Sequence, residues 1–185
     1  MSGEVEREVK LRFESPEAAR TAVAALGAPL LRPRRLQSDA LFDTEQRLLS
    51  ARSQVLRVRV ENGRGFVTFK SPMEHPTLKL REELETAVAD GALLVRILER
   101  SGFRIWFRYE KFREEFSLAD AIIAIDETPI GTFVEIEGSD AGIAATVFGL
   151  GHDPRDYILD SYRTLYVRFC AERGLPVTHM VFGAA

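Results

Sequence analysis

Cysteine is nearly missing from this chain. Cys170 stands alone, so no internal disulfide can form, a thiol-ligated metal cluster lacks ligands, and a reducing, cytoplasmic setting is expected. A basic excess is missing too. The 25 Lys and Arg face 28 Asp and Glu, a net charge of −3, which argues against a nucleic-acid binder that grips the phosphate backbone. No apolar run approaches the ~20 residues of a membrane helix, and Met1-Ser2-Gly3-Glu4-Val5-Glu6 has neither the basic region nor the apolar stretch of a signal peptide. There is no Walker-type glycine-rich loop and no Gly-x-Ser-x-Gly elbow. His75, His152 and His179 are scattered, without the spacing of a zinc site. The remaining composition is an ordinary globular balance, and 185 residues suffice for a self-supporting core. One domain over residues 1–185 is expected.

What is present is alternation. From Glu4 to Phe13, Glu4, Glu6, Glu8, Lys10 and Arg12 share one parity and Val5, Val9, Leu11 and Phe13 the other, with Arg7 as the exception. A period of two predicts a strand. Ser15-Pro16-Glu17 then opens a helix that Gly27 closes. Strands are predicted at Asp39–Asp43, Val55–Val60, Gly65–Lys70, Leu78–Leu84, Phe103–Phe116 and Ala121–Glu137. Asn62-Gly63 marks one hairpin, and Thr128-Pro129-Ile130-Gly131 breaks the last run into another. Helices are predicted over Asp90–Ser101, Asp140–Phe148 and Ser161–Arg173. Trp106, Phe107 and Tyr109 read as strand packing, and Cys170 as a small core residue. Together these elements predict an α+β fold, one antiparallel β system over Lys10–Glu137 with helices inserted.

The polar parity carries the chemistry. Same-face neighbours on a strand lie roughly 6.5–7 Å apart, so Glu6, Glu8 and Lys10 form one row. Further rows are Arg57 with Arg59; Arg81, Glu83 and Glu85; Lys111, Arg113 and Glu115; and Glu135 with Glu137. Like charges repeat at i and i+2 and repel unless a ligand or an opposing row compensates. Carboxylates so spaced suit a hard cation such as Mg²⁺ or Mn²⁺. Arg and Lys so spaced suit phosphate oxygens, which Arg grips bidentately. A solvated sheet face is the plain alternative for any single row.

Glu6-Arg7-Glu8-Val9-Lys10 matches the ExExK signature of the CYTH family of triphosphate tunnel metalloenzymes. Leu56-Arg57-Val58-Arg59 resembles that family's paired-Arg strand, Phe66 to Pro72 its next strand, and Leu80-Arg81-Glu82-Glu83-Leu84-Glu85 its REExE strand. Phe107 to Arg113 resembles its KxR strand. Ile125-Asp126-Glu127 with Gly131 to Glu137 is similar to its final metal-binding hairpin, and Ser161-Tyr162 to its late Ser-Tyr. Asp160 stands where many relatives carry a basic residue, and Phe42 where many carry Tyr.

The resemblance implies a closed, roughly eight-stranded antiparallel β-barrel with helices outside, its tunnel strands over about residues 4–137 and a C-terminal helical segment at about 140–175. It implies Glu6, Glu8, Asp126, Glu135 and Glu137 as ligands of Mg²⁺ or Mn²⁺, with Glu83 and Glu85 ligating a second metal or positioning a cation. Lys10, Arg57, Arg59, Lys70, Lys111 and Arg113 would bind a triphosphate, with Arg81 and Arg108 as further contacts. Glu6, Glu8 and Lys10 are the residues on which catalysis would depend. The activity implied is metal-dependent hydrolysis of inorganic, thiamine or nucleoside triphosphate. The alternatives are a class IV adenylyl cyclase that makes cyclic AMP and pyrophosphate, and a non-catalytic polyphosphate or nucleotide binder. The expected partner is a small-molecule triphosphate rather than nucleic acid or membrane; a homodimer stays open.

Overall fold

Strands dominate, as the alternation predicts, and helices close over their apolar faces. The computed structural model describes residues 4–73 and 80–183, without the side chains of residues 4–6, 73, 80 and 81. His75, Leu78 and Lys79 lie outside the described residues. In chain order the elements are β1 (Glu4–Glu6), β2 (Glu8–Phe13), α1 (Pro16–Ala25), β3 (Leu30–Thr44), α2 (Leu48–Ala51), β4 (Val55–Glu61), β5 (Arg64–Met73), β6 (Leu80–Val88), α3 (Gly91–Arg100), β7 (Phe103–Leu118), β8 (Ala121–Thr128), β9 (Gly131–Gly138), α4 (Asp140–Gly149) and α5 (Tyr162–Arg173). The fold is α+β with antiparallel strand pairs. Among the described residues no helix is long and apolar enough to cross a membrane.

The chain forms two compact units, residues 1–6 with 37–110 and residues 7–36 with 111–185. In the first, the strand order is β1-β6-β5-β4-β3, with the first half of β7 beside β3. Asn62 and Gly63, at φ 49° and 76°, make the tight β4–β5 turn that left-handed residues allow. Val58 lies opposite Val67, and with Ala40 and Phe42 this apolar face packs on Leu94, Val95 and Leu98 of α3. Asp90 caps α3 by accepting from Leu93 N–H at 2.8 Å. The helix start rests backbone to backbone on β5: a Cβ on Gly65 would sit 2.6 Å from Gly91 Cα, so no side chain fits there.

In the second unit the order is β3-β7-β8-β9-β2. Val9, Leu11, Ile123, Ile125, Val134 and Ile136 form its apolar face, packed on Ala19 and Val23 of α1 and Ile143 and Val147 of α4. Ser15, Ser139 and Ser161 cap α1, α4 and α5 by accepting from Ala18, Gly142 and Thr164. The β8–β9 hairpin closes where Thr128 Oγ1 donates to the Gly131 carbonyl at 2.7 Å. Cys170 is buried in α5, as expected of a small core residue.

Several elements differ from the sequence expectation: helix α2 was not expected, and β6 runs on to Val88, past the expected end at Leu84. β3 begins at Leu30, nine residues before the predicted strand. Its first residues, Leu30 to Arg34, are exposed, so no burial pattern marks them, and Pro33 reads as a strand breaker. What anchors this stretch is charge: Arg34 donates to Glu127 and Arg35 to Glu115. The N-terminal strand is split at Arg7, the residue that broke the alternation.

Candidate functional site

Register places the polar side chains of the second unit in transverse rows. Arg113 lies opposite Asp126, Asp126 opposite Phe133, and Phe133 opposite Arg12. One step along, Ala124 lies opposite Glu135 and Glu135 opposite Lys10; the next step pairs Glu137 with Glu8. The small Ala124 leaves space over the centre of the sheet.

That centre is a buried charge network. Lys10, 4% exposed, places Nζ 2.8 Å from Glu8 Oε1 and 2.9 Å from Glu135 Oε1. Asp126 is fully buried: Arg113 Nε donates to Oδ1 at 2.7 Å, and Arg113 Nη2, Lys111 Nζ and the Tyr162 hydroxyl converge on Oδ2 at 2.6, 2.7 and 2.6 Å. Arg113 also pairs with Glu135, and Lys111 lies 3.8 Å from it. The Tyr162 ring sits edge-on to Phe133, with the Lys10 and Lys111 ammoniums 5.2 and 5.1 Å from its centroid. Three cations, Lys10, Lys111 and Arg113, thus meet three carboxylates, Glu8, Asp126 and Glu135.

Ionisation follows from this geometry. Burial works against charge on Lys10, but Glu135 and Glu8 outweigh it and hold the ammonium above its ordinary range. Burial likewise opposes ionisation of Glu135, and Lys10, Lys111 and Arg113 overcome it, leaving the carboxyl well below its ordinary range. Asp126 is lowered in the same way by Arg113 and Lys111. Tyr162 is pushed well up by burial and by the Asp126 and Glu135 charges, so its phenol stays protonated and donates.

The first unit carries a second cluster. Asp39, 1% exposed, accepts from Arg59 Nε at 2.9 Å and Nη2 at 3.3 Å, with Arg57 Nε 3.4 Å away. Arg57 donates to Thr68 Oγ1 at 3.0 Å and Glu85 at 3.3 Å, and Lys70 pairs with Glu83 at 2.9 Å. Burial opposes charge on Arg57, while Tyr109 and Asp39 hold it above its ordinary range. Burial, helped by Asp39, raises Tyr109.

Within each unit the expected residues therefore gather. Lys10, Lys111, Arg113, Asp126, Glu135 and Glu8 meet in one; Arg57, Arg59, Lys70, Glu83 and Glu85 meet in the other. Glu137 is exposed on β9. Glu6 and Arg81 lie opposite each other in the backbone register of β1 and β6, and their side chains lie outside the description. Arg108 is exposed, between the buried Phe107 and Tyr109.

The donor set bears on a metal. Among the described residues there is no cluster of three or more His, Cys, Asp or Glu that could hold an ion. Both oxygens of Asp126 already accept from Lys111, Arg113 and Tyr162. Glu8 and Glu137, however, lie directly opposite across β2 and β9. Like charges so placed repel, and all-oxygen donors suit a hard divalent cation; the fit is at this pair.

The CYTH domain profile matches residues 4–148. This chain belongs to the CYTH domain family. A Methanocaldococcus jannaschii protein named "putative adenylate cyclase" is 29% identical to this CYTH protein over 136 residues, 73% of this chain and 77% of that one. The fold is shared with a Vibrio parahaemolyticus "putative adenylate cyclase" (TM-score 0.76, 20% identity, 88% of this chain and 98% of that one). A Hippeastrum protein, described as a "putative adenylyl cyclase" with a dominant triphosphatase activity, matches at TM-score 0.53 and 21% identity over 92% of this chain and 89% of that one.

Sequence reasoning missed several members of these CYTH clusters. Tyr162 entered only as part of a motif, since its contact with Asp126 spans 36 positions. Tyr109 was read as packing, yet its hydroxyl is hydrogen-bonded to Arg57. Asp39 had a signal, an acid in a short apolar strand. Thr68, which donates to Glu85 at 2.7 Å, had none.

Proposed function

We propose that this CYTH protein hydrolyses a triphosphate in a reaction that depends on Mg²⁺ or Mn²⁺. The observation that carries this reading is the balanced, buried network around Asp126 and Glu135. Removing one partner of a buried ion pair leaves an uncompensated charge and costs about 3–5 kcal/mol. A ligand that brings anions and cations together avoids that cost, because every buried charge exchanges one partner for another. A metal-bound triphosphate is such a ligand. In this reading Lys10, Lys111 and Arg113 turn to phosphate oxygens, Arg113 with a bidentate fork. Glu8 and Glu137 hold the ion, joined by Asp126 and Glu135. The ion, when bound, neutralises phosphate charge and lowers the pKa of a bound water. Taken by itself, the first unit has the same phosphate-binding chemistry in Arg57, Arg59 and Lys70, and Glu83 and Glu85 are assigned there to a second ion. Once turned to the phosphates, the cationic side chains stabilise charge on the transferred and leaving groups. A cytoplasmic setting accompanies this reading, since it rests on the single thiol.

The second reading is an adenylyl cyclase, favoured by the names of the archaeal and Vibrio relatives. The Hippeastrum protein carries such a name and a dominant triphosphatase activity, which favours hydrolysis here. Product analysis separates the two. Purified protein with ATP and Mg²⁺ or Mn²⁺ is expected to release orthophosphate, and Glu8→Ala to abolish it. Cyclic AMP with pyrophosphate would assign the cyclase reading, and tight binding without turnover would assign a binding module.

A further inference from the structure

Arg113 has a nearer carboxylate than the Glu135 it binds. Glu115 is its same-face neighbour on β7, roughly 6.5–7 Å along the strand. Glu135 stands beyond β8: Ala124 lies opposite Glu115 on one side and opposite Glu135 on the other. Adjacent strands are about 4.8 Å apart, so by backbone Glu135 is the farther of the two. The Arg113 guanidinium nevertheless pairs with Glu135 and donates to both oxygens of Asp126. The nearer carboxylate is engaged elsewhere: Arg35 Nη2 donates to Glu115 Oε2 at 2.6 Å, and the two residues are only 7% and 8% exposed. We infer that Arg35 is a positioning residue for Arg113: by holding Glu115 it keeps the Arg113 fork on the side of Asp126 and Glu135, where phosphate is gripped. The inference rests on the triphosphatase reading for its kinetic consequence.

Competition is the first argument. Opposite charges attract more strongly where water is excluded. A buried Glu115 without its cation would draw the nearest guanidinium on its own strand, which is Arg113. Arg32 also lies near Glu115 Oε2, at 3.5 Å, but its side chain is 63% exposed and solvent screens the pair. Arg35 is therefore the cation that neutralises Glu115.

Grip is the second argument. Arg35 Nη1 donates to the Arg113 carbonyl at 3.4 Å and to the Pro33 carbonyl at 3.3 Å. One guanidinium thus holds the competing carboxylate and the backbone of Arg113 together, which its planar fork allows.

The side of the sheet is the third. Successive residues of a strand face opposite ways. Arg34 turns to Glu127, which also pairs with Arg20 of α1, so Arg34 lies on the face that α1 covers. Arg35 turns to the other face, the one that carries Lys111, Arg113, Glu115 and Glu135. The exposed start of β3 is therefore tied to the charge network by a single side chain that reaches the residue next to Arg113 on that face.

The test follows the Nε–Hε resonance of Arg113 in ¹⁵N-labelled protein, identified as the one lost in Arg113→Lys. It reports the bond from Arg113 Nε to Asp126 Oδ1 at 2.7 Å and needs no substrate. Three variants are compared with the wild type: Arg35→Met, which removes the charge; Arg35→Lys, which keeps it; and Arg35→Met with Glu115→Met, which removes the competing carboxylate as well. Replacing both partners of a buried ion pair by apolar residues is often neutral, so the double variant is expected to fold. The resonance should move in Arg35→Met and hold the wild-type position in Arg35→Lys and in the double variant. KM for inorganic triphosphate with Mg²⁺ should rise about tenfold in Arg35→Met and return to within about twofold of wild type in the double variant, with a smaller change in kcat. If Arg35→Met does not fold, Arg35→Gln takes its place, since an amide bonds Glu115 without neutralising it. A resonance that stays put in the single variant, or that moves equally in the single and double variants, overturns the inference. A KM raised equally in both also overturns it and assigns Arg35 to direct contact with the substrate. If the wild type hydrolyses no triphosphate, the triphosphatase reading falls, and the resonance alone decides the inference.

Discussion

The hydroxyl of Tyr162 donates to Asp126 Oδ2 at 2.6 Å, on the carboxylate that Lys111 and Arg113 also hold. Tyr162→Phe keeps the ring beside Phe133 and under the two ammoniums and removes only this donor. A hydrogen bond to a charged group contributes about 1.5–3 kcal/mol. Urea unfolding should show a loss of that size, with the fold retained; a variant as stable as the parent would show that the bond carries nothing.

Stability should be flat across neutral pH and fall at both extremes. Glu135 and Asp126 are depressed below their ordinary values of 4.5 and 3.8. Their contribution is therefore complete above those values and is lost as pH falls through the still lower folded ones. Lys10 is raised above its ordinary 10.5. Its contribution is complete below 10.5 and lost as pH rises through the higher folded value. Urea midpoints measured across pH should thus begin to drop only below about pH 4.5 and above about pH 10.5. A maximum confined to a narrow band near pH 7 would contradict the network.

Asp39 fixes the paired arginines of the first unit. In Asp39→Asn, Arg59 loses a two-point carboxylate contact and Arg57 its nearby charge. Freed arginines bind phosphate in a less defined geometry, and KM for a triphosphate should rise roughly tenfold, with a smaller change in kcat. Steady-state kinetics decides the point; an unchanged KM would remove Asp39 from substrate binding.

How much of this was legible in the sequence depends on the range of the interaction. Strand alternation, the Asn62-Gly63 turn and the helix start at Ser15 are local, and they appear where the sequence places them. The charged rows were also visible, because a period of two sets which residues share a face. The partner of each charge was not. Nothing local says that Lys10 meets Glu135 or that Arg57 meets Asp39, since register between distant strands decides both. The first half of β3 was hidden because its residues are exposed and its anchors, Glu127 and Glu115, lie more than seventy positions away.

The measurement that bears most directly on the account is orthophosphate release from a triphosphate at neutral pH in Mg²⁺ or Mn²⁺, by the wild-type protein, by the same protein with chelator, and by Lys10→Gln. Removing one preorganised electrostatic donor costs about 10²–10³ in turnover. The account predicts metal-dependent release that chelator abolishes and that falls about a hundredfold in Lys10→Gln. Release that survives chelation, or that is undiminished in the variant, would contradict it.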